Sequence, residues 1–124
     1  LAGVIAPFAH HGGLEPCHVD VVVDDELSLA DYGVRGRALH TPGHTFGSLS
    51  VLLDSGDALV GDLCVRMPLL SGGRYLPFFG VSREAAYASW RRLLDAGAMR
   101  FYPAHGASFP ADALRAELAK TGQS

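Results

Sequence analysis

The sequence predicts an α+β domain, on three observations. Short β-branched or alternating runs, separated by turn residues, fill the stretch from Val19 to Val60. The period then changes: after Ser82, the residues Ala86, Trp90, Leu93 and Leu94 fall on one face at helical spacing. A further strand-like run, Met99 to Tyr102, follows that helix and precedes another. The 124 residues suffice for one small domain with one core, and no repeat, low-complexity stretch or linker divides them.

Taken in order, residues 10–17 read as a loop, and Val19 to Val23 as a strand bounded by acids. Leu27 to Leu29 and Val34 to Leu39 read as strands about an Asp31-Tyr32-Gly33 turn. Gly47 to Leu53 alternates serine with aliphatics before it turns apolar, which predicts a strand with one face more buried. Asp54-Ser55-Gly56-Asp57 is a hairpin turn, and Ala58 to Val60 is the strand after it, ending at Gly61-Asp62. Residues 65–81 carry prolines and glycines without a period and are expected to form a long surface loop overhanging that edge. Ser82 caps a helix from Arg83 to Ala96, with Gly97 as its stop. A last helix runs from Pro110 to Ala119, with Pro110 suited to the first turn.

Composition narrows the function. At 48% hydrophobic, this small chain predicts either a well-buried sheet or a face that expects a partner. The net charge of -3 is spread along the chain and leaves no basic stripe for nucleic acid. No apolar run approaches the roughly 18 residues of a membrane span. Cys17 and Cys64 are far apart and form no metal-type pair, so they are expected as free thiols in a reducing compartment, the cytoplasm.

The chemistry lies on three turns: His40-Thr41-Pro42-Gly43-His44-Thr45, Gly61-Asp62 and Tyr102-Pro103-Ala104-His105-Gly106. Strand 34–39 runs out, 47–53 runs back and 58–60 runs out again, so His44 and Asp62 emerge at the same edge of an antiparallel sheet. The helix at 83–96 is a crossover, which lets strand 99–102 run parallel to 58–60 and brings His105 to that edge. Pro42-Gly43 makes a reversal that presents His44 outward, and Gly61 lets the backbone approach closely before Asp62. Two imidazoles and a carboxylate are the donor mix of hydrolytic zinc or iron sites. Singly, each residue has an ordinary reading: His10, His11 and His18 as polar loop residues, His40 as a hydrogen-bonded strand residue, Asp62 as a cap, His105 as a surface histidine. Only His44, Asp62 and His105 form a set with shared placement. There is no G-x-S-x-G elbow for a serine nucleophile and no glycine-rich phosphate loop.

These motifs, HTPGHT at 40–45, GD at 61–62 and YPAHG at 102–106, resemble those of the metallo-β-lactamase fold superfamily. The resemblance runs from about residue 19 onward and covers only the second half of the family fold. It implies half of a four-layer αββα sandwich: a mixed, mostly antiparallel sheet with helices on one face. Residues 1–124 would be a single domain, with 1–18 a tail left from the missing upstream half. His44 resembles the third histidine on the first metal, Asp62 the carboxylate bridging two metals, and His105 the last histidine, on the second metal. Thr45 and His40 belong to the motif as supporting residues. The implied cofactors are two divalent ions, zinc foremost, with iron or manganese as alternatives.

The implied activity is attack of a metal-bound hydroxide on an ester, thioester, lactone or lactam-type bond of a small molecule. Arg66, Arg74, Tyr75, Phe78 and Phe79, in the 65–81 loop, are expected to contact substrate. The family's H-x-H-x-D-H run is absent, and Ile5 to His10 does not fit it. The chain alone is therefore expected to hold metal weakly and catalyse poorly. Its partner is expected to be the missing N-terminal half or a second copy packed sheet to sheet. The alternatives are a non-catalytic half-domain that homodimerises, a mononuclear-iron oxygenase relative, and a binding module without metal.

Overall fold

A computed structural model describes residues 16–66, 72–77 and 80–122. Six strands form one sheet in the order β1-β2-β3-β4-β7-β8. They are β1 (Glu26–Ser28), β2 (Gly36–His40), β3 (Leu49–Leu53), β4 (Asp57–Gly61), β7 (Arg100–Pro103) and β8 (Phe109–Pro110). All neighbours are antiparallel except β4 and β7, which run parallel. Parallel neighbours need a crossover, and helix α1 (Arg83–Asp95) provides it. Helix α2 (Ala111–Lys120) closes the described chain. The sheet is thus mixed and mostly antiparallel, as the sequence predicts.

Alternation along the strands sorts residues between two faces. Leu39, Leu52, Ala58, Val60 and Phe101 turn inward and join Ala86, Trp90, Leu93, Leu94, Leu114 and Leu118 of the two helices in one core. Helix α1 begins where expected, because the Ser82 hydroxyl accepts from the Ala85 N–H. On the other face Leu27, Ala38, Val51, Leu59 and Tyr102 are cross-strand partners in register over five strands. Helices cover the first face. On the second, Leu59 is 49% exposed and Tyr102 39%.

Four expectations are corrected. Residues 19–23 form no strand; Val19, Val21 and Val22 are exposed. A β-branched run does not make a strand unless it pairs, and it is Glu26–Ser28, not residues 19–23, that pairs with β2. The 65–81 region is not all irregular: β5 (Val65–Arg66) pairs antiparallel with β6 (Tyr75–Leu76). Pro110 is the N-cap of α2 and the end of β8, not a first-turn residue. Strand β8 lies in a stretch read as part of a loop and a helix, since two residues carry no period. Residues 1–15 of the tail expected at 1–18, His10 and His11 among them, lie outside the described residues, as do Phe78 and Phe79.

Candidate functional site

The 40–45 turn leaves β2 and is held by its own polar atoms. His40 Nε2 lies 2.7 Å from the Phe46 carbonyl, so this histidine is a hydrogen-bonded strand residue, as expected. The Thr41 and Ser50 hydroxyls meet at 2.7 Å in a buried pair, and the Thr45 N–H donates to the Ser48 hydroxyl at 3.0 Å. Gly43 sits at φ 150° against helix α1, where a Cβ would come within 2.6 Å of the Ala86 Cα. Glycine is needed there for close approach as well as for φ.

The second turn follows β4. Gly61 is at φ 55°, with open space where a Cβ would be. Close approach, expected of this glycine, is thus not its role; what it supplies is the left-handed conformation that turns the chain toward Asp62. The third turn follows β7. Its Ala104 N–H donates to the Gly61 carbonyl at 2.8 Å, which joins the two turns.

The three candidate residues meet. His44 Nε2 is 3.7 Å from Asp62 Oδ2, and His105 Nε2 is 3.5 Å from Asp62 Oδ1. The side chains of His44 and Asp62 are 28% and 30% exposed, and that of His105 is 66% exposed. Both separations exceed hydrogen-bonding distance. They are close to the edge of a zinc coordination tetrahedron, about 3.3 Å for donors about 2.05 Å from the ion. Each imidazole faces a different carboxylate oxygen. Among the described residues no three His, Cys, Asp or Glu side chains form a group that could hold one ion. The three side chains form two imidazole–carboxylate pairs that share the one carboxylate of Asp62. The donor chemistry fits divalent zinc, iron or manganese. Cys64 lies nearby in sequence and is buried in the core, where burial pushes its thiol pKa up to about 12.

Three of the residues expected to contact substrate are occupied structurally. Arg74 makes an ion pair with the buried Glu117 of α2, its Nε donating at 2.7 Å. The Tyr75 ring packs on Phe109 with centroids 4.1 Å apart. Arg66 donates from Nε to the Gly73 carbonyl at 2.9 Å within the β5–β6 hairpin.

No family model and no curated protein matches the chain; the likeness is to solved structures. An archaeal metallo-β-lactamase superfamily protein, ST1585 from Sulfolobus tokodaii, aligns at TM-score 0.59 and 22% identity, over 95% of this chain and 47% of its own. TTHA1623, in a di-iron-bound form, aligns at TM-score 0.61 and 27% identity, over 89% of this chain and 54% of its own. TMB-1 aligns at TM-score 0.64 and 20% identity, over 95% and 54%. This chain has about half of the metallo-β-lactamase fold. It spans about half the length of the solved structures it matches.

In this metallo-β-lactamase half-fold, sequence reasoning overlooked the residues that hold the site's backbone. The Trp90 indole donates to the Leu63 carbonyl at 3.1 Å, one residue beyond Asp62. Ser89 and Arg92 of α1 bond to the 40–42 backbone. A signal for Ser89 was present: it is a polar residue three from Ala86 and four from Leu93, on an otherwise apolar stripe.

Proposed function

We propose that this chain supplies His44, Asp62 and His105 to a two-metal hydrolytic centre, with Asp62 joining the two metal positions. The observation that carries this reading is the division of Asp62 between two imidazoles, 3.7 Å from one oxygen and 3.5 Å from the other. A carboxylate that pairs with one histidine on each side has the form of a bridge. The di-iron-bound form of TTHA1623 supports a pair of ions in this fold. When bound, such ions supply Lewis acidity and lower the pKa of coordinated water toward about 7. The chain's own part is to present two neutral Nε2 donors and one anionic charge at a half-exposed rim. Zinc is the proposed metal, and the proposed bond is of the ester, thioester, lactone or lactam type in a small molecule. The free thiols, Cys17 among them exposed, fit a reducing compartment such as the cytoplasm. Among the described residues no helix is long and apolar enough to cross a membrane.

With one imidazole and a shared carboxylate for each ion, the chain alone binds weakly and turns over little. The remaining ligands come from the other half of the fold. A second reading, a non-catalytic half-domain that homodimerises, draws on the in-register apolar row from Leu27 to Tyr102. Zinc titration followed by calorimetry tests the first. Measurable binding that disappears in Asp62→Asn and weakens in both His44→Ala and His105→Ala is the expected result. Binding unaffected by Asp62→Asn would sink it.

A further inference from the structure

We propose that Ser89 is a positioning residue for His44: its hydroxyl fixes the backbone from which that imidazole reaches Asp62. This inference rests on the metal-centre reading above. The 40–44 segment lies along helix α1, running against the helix direction, and the helix with the two residues before it takes up the carbonyls of His44, Gly43, Pro42 and His40. The Val81 N–H donates to the His44 carbonyl at 3.3 Å, and the Ser82 N–H to the Gly43 carbonyl at 3.1 Å. Next, the Ser89 hydroxyl donates to the Pro42 carbonyl at 2.7 Å. Last, Arg92 Nη1 donates to the His40 carbonyl at 3.2 Å, while its Nη2 holds Asp25 at 2.7 Å. Ser82, Ala86, Ser89 and Arg92 are three or four residues apart and so share one helix face.

Ser89 is the link in this series that depends on one side-chain atom in the interior. It is 3% exposed. A serine inside a helix ordinarily bonds the carbonyl one turn back or water. Here the donor reaches a carbonyl 47 residues away in sequence, two positions before His44. Proline has no N–H, so its carbonyl is the one backbone hydrogen-bonding group at position 42. With Gly43 pressed on Ala86, that bond sets both the distance and the rotation of the turn relative to the helix. His105 stands on a different turn, fastened to Gly61 through Ala104. The two imidazoles are therefore positioned by separate parts of the fold, and a change at Ser89 acts on one of them.

Imidazole nitrogen NMR of the metal-free chain tests this, with the thermal midpoint measured alongside. In Ser89→Ala the His44 ring signals shift and broaden, those of His105 stay, and Ser89→Thr, which keeps the hydroxyl, restores the His44 signals. Equal movement of both rings, no movement of either, failure of the threonine variant to restore, or loss of the fold in Ser89→Ala would overturn the assignment. Cobalt titration by visible absorption adds a second readout. Ser89→Ala weakens binding roughly ten- to a hundredfold, the usual cost of losing a group that orients a ligand. A parent chain that binds no cobalt refutes the metal-centre reading, while the ring signals still decide the role of Ser89.

Discussion

The Ala104 N–H donates to the carbonyl of Gly61 at 2.8 Å, and this bond carries the β4–β7 pairing one residue past the end of β7, from the last residue of β4. The register shifts just before it: Leu59 pairs with Tyr102, but Gly61 pairs with Pro103, so Val60 is an extra residue on β4. A shift of one residue changes the face to which later side chains point. The irregularity and the left-handed Gly61 together redirect the chain, so that Asp62 leaves β4 toward the rim reached by His105. The 3.5 Å approach of those two side chains follows from backbone pairing, before any ion is considered.

Gly43→Ala is expected to destabilise the fold by at least about 2 kcal/mol. The new Cβ would lie 2.6 Å from the Ala86 Cα, in a backbone conformation that disfavours side chains. Gly47→Ala provides the comparison, since nothing lies within 4 Å of its would-be Cβ; its effect should stay within about 0.5 kcal/mol. Urea midpoints of the two variants measure the contrast, and equal midpoints would contradict the close packing of the turn on α1.

Trp90→Phe removes the donor to the Leu63 carbonyl and part of the ring that meets Tyr87 edge-on at 5.1 Å. An unpaired buried carbonyl and a small void together cost about 2–4 kcal/mol. Because Leu63 follows Asp62, zinc binding should weaken in the same variant. Denaturant unfolding and calorimetry on one preparation check both effects. A destabilised variant with unchanged zinc affinity would confine Trp90 to the core.

The buried Cys64 thiol gives a pH dependence of definite sign. Burial raises its pKa from the usual 9.0 to about 12. Below pH 9 folded and unfolded chains both keep the proton, and the contribution is full. Above it the unfolded thiol ionises first, so stability falls with rising pH, by up to about 1.4 kcal/mol per pH unit, until the folded thiol also ionises. Cys64→Ala lacks this component, so its deficit relative to the parent chain should shrink between pH 9 and 11. Urea midpoints across that range decide it, and parallel curves for the two chains would count against a protonated folded thiol.

How far the site was legible in the sequence depended on how local its causes were. Ser82 and Gly97 bound α1 through capping and a left-handed residue, both of which act within a turn. His44, Asp62 and His105 could be brought together because alternating strand directions and one crossover fix which edge each turn occupies. The partners of Ser89, Trp90 and Arg74 were not legible, since each lies 27 to 47 residues away. No period or spacing encodes such a partner. Val19 to Val23 misled for the opposite reason: strong local preference does not make a strand unless the run pairs with one, and this run does not.

The proposed sheet-to-sheet pairing makes the last prediction. Leu59 lies between Val51 and Tyr102 in the apolar row and is about half exposed. Burying such a row is worth roughly 25 cal/mol per Å² of apolar surface, and a stable pair of chains needs about 800 Å² from each. If two copies cover it, a two-fold axis brings the same residues together from both sides. Leu59→Glu then places an unpaired charge inside the contact, which costs far more than the lost leucine. Sedimentation velocity at tens of micromolar should give a dimer for the parent chain and a monomer for Leu59→Glu, with Val81→Glu, an exposed apolar position outside the row, remaining dimeric. A monomeric parent chain at that concentration would remove the second copy as the partner and leave the other half of the fold as the cover for this face.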